Sequence, residues 1–348
     1  MNVLFIPDYR KYNPYQLLLA KELLNKNIKV FFCDNYSFFS LIRFYVKSKF
    51  KLLHVHWPDK FILHDNALIM AIKASNFILQ LLFFKILGVK IVWTVHNINN
   101  HEGTNLKFYR TILKFFSCLV DLHIIHSKHS VPLLESFSIK KIEVLKHPSY
   151  YGYYKLDFDE KKSRLILGIP ENSFVYLFIG QIKEYKGVLD LIKAFKKINI
   201  ENSCLLVAGL VSNQRILNKI NIRKKNSSNI IFYNEFIRDD NLQLFFKASD
   251  VVVFPFKSIL TSGSALLAQS FGKPIIIPEV DTLLENLNSS GVFTYKMNDL
   301  DDLAKMMKYI YNVDNFNPED IKNNLKDWAI ENSWERFSDK TSELYLKI

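Results

Sequence analysis

The chain has 348 residues, 49% of them hydrophobic, and only 10 glycines, which excludes a disordered or fibrous chain and fits two domains that each bury their own core. Lysine and arginine number 46 against 34 acidic residues, a formal charge of +12. That balance favours an anionic partner without choosing among nucleic acid, phospholipid and phosphorylated small molecules.

Cys33, Cys118 and Cys204 show no pairing pattern and no metal-ligand neighbour at short spacing, as expected in a reducing compartment. The start, Met1 to Asp8, has neither a basic region nor a cleavage-like site, so no signal peptide is expected. The most apolar window, Phe77 to Val89, is interrupted by Gln80 and Lys85 and falls short of the roughly 20 residues that cross a bilayer. The expectation is a cytoplasmic protein that does not span a membrane.

In chain order, Val3–Pro7, Ile28–Cys33, Leu52–His56, Lys90–Val95, Leu122–His126 and Ile142–Leu145 read as strands. Helical stretches such as Pro14–Asn25 and Asn105–Phe116 lie between them, the βα alternation of a parallel sheet covered on both faces. His147 to Tyr154 has a helix-breaking proline and no period, marking a linker. The rhythm resumes with Phe174–Ile179, Ser203–Ala208, Ile230–Asn234, Val251–Phe254, Pro274–Pro278 and Gly291–Tyr295, and after Asn315 the chain is helical, ending in Trp334–Leu346. The expected class is α/β, with two doubly wound Rossmann-like domains: 1–152, and 153–330, with a helix at 331–348 packing back on the first.

In such sheets ligands gather outside the carboxyl ends of the strands, so the loops there carry the candidates. After Phe174–Ile179 come Gly180, Gln181, Lys183, Lys186 and Gly187, then the helix Val188–Ile198. Glycines permit a tight turn and an open helix N-terminus, and a lysine places a point charge on a phosphate. An ordinary exposed loop fits the same letters. After Val251–Phe254, Thr261, Ser262, Gly263 and Ser264 precede a helix expected over Ala265–Phe271. They can offer amides and hydroxyls to phosphate oxygens, or simply cap the helix. Two such starts in one domain favour a phosphate site.

In the first half, Lys90–Val95 ends at His96 and Asn97 in a polar loop with His101 and Glu102. A histidine there can bond a sugar hydroxyl, move a proton, or cap its own loop. His54 and His56 share a strand face, His123, His126 and His129 do not share one, and neither group has the partners of a zinc site. Two basic-aromatic stretches, Arg43 to Lys51 and Lys107 to Phe116, suit either an anionic membrane surface or a solvated helix with its aromatics in the core.

These residues resemble those of GT-B glycosyltransferases, specifically glycosyltransferase family 4 of bacterial surface-polysaccharide synthesis. Gly180 to Gly187 resembles that family's donor-phosphate loop, with Gln181 where arginine is usual and Lys186 retained. Ala248 to Pro255 and Gly272-Lys273-Pro274 resemble the flanks of its second donor loop, and Thr94 to Asn97 the segment carrying an active-site histidine. The glutamate pair common in that second loop is replaced by Ile259 and Leu267, which leaves Glu285 or Glu279 to supply a carboxylate.

The resemblance implies two domains facing a cleft and closing over the donor, and transfer of a hexose from a UDP- or GDP-linked sugar to a lipid-linked or lipopolysaccharide-type glycan. It further implies retention at the anomeric carbon, with no required metal and no cofactor beyond the donor substrate. His96 and Lys186 would be the catalytic residues. Gly180, Gln181, Lys183, Lys186 and Thr261 to Ser264 would hold the diphosphate, Glu235 and Phe236 the nucleoside, and Asn97, His101 and Glu102 the acceptor. An anionic membrane surface is the expected partner and nucleic acid is not. A sugar-nucleotide epimerase or hydrolase on the same fold, or a non-catalytic glycan- or nucleotide-binding subunit, remains the alternative.

Overall fold

The structure, a computed structural model, describes residues 1–11, 13–33, 37–97, 106–135, 141–154, 157–313 and 318–348. Its contacts divide the chain into two units, Met1–Pro148 with Asn332–Ile348, and Ser149–Glu331. The division follows Pro148 rather than Gly152 because Ser149 and Tyr150 are tied into the second unit. The Tyr150 amide donates to the Ser270 hydroxyl at 3.0 Å, and the Ser149 hydroxyl lies 3.4 Å from the same atom.

The first unit holds β1 (Asn2–Ile6), β2 (Lys29–Phe32), β3 (Leu52–Val55), β4 (Lys90–Thr94), β5 (Leu122–Ile125) and β6 (Ile142–Val144). They form one parallel sheet in the order β2-β1-β3-β4-β5-β6. β3 and β5 are buried along their whole length, as strands covered by helices on both faces must be. On one side the helix Tyr15–Leu24 packs against the C-terminal helix Trp334–Lys347.

The second unit holds β7 (Phe174–Ile179), β8 (Ser203–Ala208), β9 (Ile230–Tyr233), β10 (Val251–Val253), β11 (Ile275–Pro278) and β12 (Val292–Tyr295). Its parallel order is β12-β11-β10-β7-β8-β9. The chain runs outward from β7 to β9, then returns to the other side of β7 at β10. That reversal makes a switch point between β7 and β10, where side-by-side loops leave the sheet in opposite directions and open a crevice. Tyr176, Phe178, Leu205, Val207, Val253 and Ile276 form the core beneath it.

Every strand lies within a residue of its expected bounds. The helix expected over Ala265–Phe271 begins earlier, at Gly263, and ends at Ser270. A larger difference concerns the apolar segment near residue 80. It belongs to a helix, Ala67–Ile86, of 20 residues, long and apolar enough to cross a membrane by length and composition alone. Gln80 does not interrupt it because that side chain is turned into the protein, and Lys85 bonds to Asp121 at 2.9 Å.

Candidate functional site

The switch point of the second unit brings together the two loops singled out in the sequence. β7 gives way to Gly180, whose φ of 132° lies in the left-handed region that favours glycine. A side chain there would face the Ser264 hydroxyl, 3.5 Å from a Cβ. Behind it, a Cβ on Gly209 would lie 1.9 Å from the Gly180 carbonyl, so the two backbones meet closely. The loop continues pinned: the Ile182 amide donates to Leu210 O and the Ser212 amide to Ile182 O, both at 2.9 Å.

Glu184–Lys186 make one 3₁₀ turn, and Gly187, with φ 71°, opens the helix Val188–Ile198. A Cβ on Gly187 would sit 1.8 Å from the Pro255 carbonyl, which places the first loop hard against the chain leaving β10. The Lys257 amide donates to Tyr185 O at 2.8 Å, and Lys257 Nζ pairs with Asp190 at 2.7 Å. The first loop is therefore tied to the chain leaving β10.

Lys186 lies where the two loops meet, at the Phe256 ring. Its ammonium stands 4.5 Å from the centroid of the Phe256 ring and 5.4 Å from that of Tyr185, and it makes no ion pair among the described residues. Burial, helped by the charge of Lys183, pulls its pKa down to about 8. An anion arriving there would offset both penalties. Across the crevice Ser262 caps the helix Gly263–Ser270, its hydroxyl oxygen accepting from the Ala265 amide at 3.1 Å. The amides of Gly263 and Ser264 are then first-turn donors that the helix itself does not use. Thr261 is half-buried beside them.

The sequence missed Phe256, which floors the lysine, and Tyr150, taken as linker. Tyr150 is buried, and its hydroxyl lies 3.8 Å from where a Gly263 Cβ would be. Burial, with Asp239 next in effect, holds that phenol protonated. The other expected residues are more dispersed. Gln181 is exposed and Lys183 half-buried on the first loop. Glu235 and Phe236 follow β9 on the surface, two strands from β7. Glu279 follows β11 and is exposed, while Glu285 closes the short helix Asp281–Leu284 and is half-buried.

In the first unit His96 does not stand in an open polar loop. It is buried and stacked on Trp57, with ring centroids 4.4 Å apart and planes 15° from parallel. Its Nε2 lies 3.4 Å from Nδ1 of His56, and Tyr15 meets it edge-on at 4.9 Å. His126 and His147 complete a cluster at the carboxyl ends of β3 to β6, with ring centroids 5.0 Å apart. His54 stacks on His56 at 4.2 Å. It is held between the Tyr345 hydroxyl at 2.5 Å and the Thr94 hydroxyl at 2.7 Å.

Burial first, and the neighbouring imidazoles second, hold His96 and His56 well below the usual histidine range. Both are neutral at physiological pH. Among the described residues no group of three or more His, Cys, Asp or Glu is arranged to hold a metal ion. Asn97 is half-buried next to His96. His101 and Glu102 lie outside the described residues.

Comparison with known proteins adds to this geometry. Residues 159–328 match the family described as glycosyl transferases group 1. A GDP-mannose:glycolipid 4-beta-D-mannosyltransferase of Xanthomonas campestris pv. campestris is 23% identical over 262 residues, 74% of this chain and 70% of that protein. Among solved structures, sucrose-phosphate synthase from Thermosynechococcus elongatus superposes with a TM-score of 0.76 at 14% identity, covering 99% of this chain and 98% of that one. Anabaena HepE, solved in complex with UDP and glucose, gives a TM-score of 0.76 at 15% identity, with 100% of each chain covered. The likeness to these structures is one of fold, the two-sheet GT-B type. Residues 159–328 thus form a group 1 glycosyltransferase domain, and the enzyme is a glycosyltransferase.

Proposed function

We propose that this enzyme moves a hexose from a UDP- or GDP-linked sugar to a lipid-linked or lipopolysaccharide-type glycan. It would do so as a family 4 enzyme of cell-surface polysaccharide synthesis, working on the cytoplasmic face of the membrane. The observation that carries this reading is the convergence of the β7 and β10 loops, where Gly180 approaches the Ser264 hydroxyl, Gly187 the Pro255 carbonyl, and a buried lysine stands against Phe256. A departing nucleoside diphosphate develops negative charge, and such groups stabilise it without reorganising. The relative that uses GDP-mannose and a glycolipid, and the HepE complex with UDP and glucose, support a nucleotide-sugar donor and a lipid-borne acceptor.

Lys186, with Lys183, Gln181, the amides of Gly263 and Ser264 and the hydroxyls of Thr261 and Ser262, binds the diphosphate. Glu235 and Phe236 border the nucleoside, and Glu279 or Glu285 supplies a carboxylate to the sugar. His96, kept neutral, acts as a hydrogen-bonding group that orients sugar or acceptor, with Asn97, His101 and Glu102 on the acceptor side. The reaction proceeds with retention and needs no metal or further cofactor.

Incubation with radiolabelled UDP- and GDP-sugars and lipid extract tests the assignment. Label should enter the organic phase, and Lys186→Ala should slow that transfer about 100-fold or more with an unchanged melting temperature. Turnover unaffected by Lys186→Ala rejects the site. Release of free sugar or of an epimer rejects transfer. NMR of the product's anomeric proton decides stereochemistry separately, an inverted product removing only the claim of retention.

A further inference from the structure

The helix Ala67–Ile86 has two opposed apolar stripes. Met70, Ala74, Phe77, Leu81 and Phe84 face the core of the first unit. Phe77 meets Phe116 of the helix Leu106–Leu119 at 5.5 Å between ring centroids, and Phe84 meets Tyr45 of the helix Phe38–Ser48 at 5.8 Å. On the far side, Leu68, Ile72, Leu79, Leu82 and Ile86 recur at spacings of three, four or seven and form one outward line, with Leu68 70%, Leu79 63% and Ile86 84% exposed. No charged residue stands in that outward line, since Lys73 bonds to Leu63 O and Lys85 to Asp121, both on the flanks.

The two neighbouring helices supply charge of one sign. Helix Phe38–Ser48 carries Arg43 and Lys47 beside the exposed Phe39 and Val46. Helix Leu106–Leu119 exposes Lys107, Arg110 and Lys114 among Leu106, Phe108 and Phe115. None of the three helices contains an aspartate or glutamate. Where the apolar helix ends, a cavity of ≈ 470 Å³ lined by Leu87, Val89 and Tyr45 also collects Lys49, Lys51 and Lys90.

We propose that this three-helix face docks on an anionic phospholipid bilayer, with Ala67–Ile86 lying in the membrane plane, its outer stripe among the acyl chains, and the flanking lysines and arginines on the lipid phosphates. Spanning is excluded by the inner stripe. To cross, the helix would have to withdraw Met70, Phe77, Leu81 and Phe84 from the core they fill. Charge selects the occupant: a second copy on this face would oppose cations to cations, whereas an anionic surface complements them. The proposal deepens the membrane part of the proposed function and differs from basic-aromatic contact alone, because an inserted apolar stripe resists salt whereas phosphate contacts do not.

Flotation of the full chain tests it, using phosphatidylcholine vesicles with and without phosphatidylglycerol, at low and at molar salt. The protein should bind the phosphatidylglycerol vesicles and stay partly bound at high salt. Leu79→Glu with Ile86→Glu should weaken binding at least about tenfold, and Lys107→Glu with Lys114→Glu should abolish the preference for phosphatidylglycerol while sparing the salt-resistant fraction. Melting temperature and the affinities for UDP and GDP, read by calorimetry, should be unchanged in both. Equal binding by the Leu79/Ile86 variant overturns the proposal. So does a wild-type protein that ignores vesicles, and self-association lost in that variant would then identify a second copy as the occupant. No sugar transfer enters the assay, so its failure leaves the donor site untouched.

Discussion

The histidine cluster makes the first unit acid-labile, and the size of the effect follows from the fold. Burial lowers the pKa of His54 to about 3, of His147 to about 3 and of His126 to about 4. In the unfolded chain each returns to 6.5. A base with a depressed pKa stays neutral in the fold while the unfolded state takes up its proton. The stability is therefore complete above the unfolded value and is lost as pH falls from about 6.5 toward about 4. Between about pH 7 and about pH 5 each of the three forfeits about 2 kcal/mol, about 6 kcal/mol together. His56 and His96 add to that in the same direction. The sum rivals the ~5–15 kcal/mol that holds a typical domain. Urea titrations followed by circular dichroism across that range should show the first unit's transition moving steeply to lower urea. His126→Gln, which keeps a donor for Leu145 O but cannot titrate, should flatten the dependence by one proton. A urea midpoint that stays level from neutrality to about pH 5 would refute the burial argument.

Two further outcomes are expected in the second unit. With the free Lys186 titrating at about 8, affinity for GDP or UDP should be highest below that pH and fall up to about tenfold per unit above it, accompanied by proton uptake in calorimetry. Affinity that is flat through this range, or Lys186→Ala retaining the full pH dependence, would contradict the placement. Gly187→Ala should cost more than about 3 kcal/mol and disorder both loops, because its Cβ would strike the Pro255 carbonyl at 1.8 Å. Gly168→Ala, also at positive φ but with nothing within 4 Å, should cost only about 1–2 kcal/mol, and equal costs in a denaturation series would dismiss the close approach.

The strands were legible because each signal is local. A run such as Phe174–Ile179, apolar at every position, has little choice but a sheet covered on both sides. The phosphate loops were legible for the same reason, as glycines and a lysine directly follow such runs. Lateral order is what a single sequence does not encode in any one stretch. His54 and His56 were read as a pair and His126 as part of another group, yet β3, β4 and β5 are neighbours in the sheet and gather these rings with His96. A signal was nevertheless present. His56, His96, His126 and His147 each stand within three residues of the end of a parallel strand, the edge where such sheets collect side chains.

The apolar helix was misjudged for a related reason. Read along the chain, Gln80 and Lys85 break the Phe77–Val89 window, so it looks too short to cross a bilayer. Read around the helix, Gln80 points into the core and Lys85 toward Asp121, leaving the opposite side unbroken over the whole element. A linear window averages the two sides and hides the outer stripe. The opposed arrangement also explains why one helix can pass a length-and-composition test for crossing a membrane and still be a permanent part of the core. The inner residues anchor it to the sheet, and the outer ones are left for a partner whose extent matches a helix of 20 residues, about 30 Å of apolar line. Without a partner, that line of Leu and Ile would be an aggregation liability that the basic flanks alone must offset. On an anionic bilayer, both features are used at once.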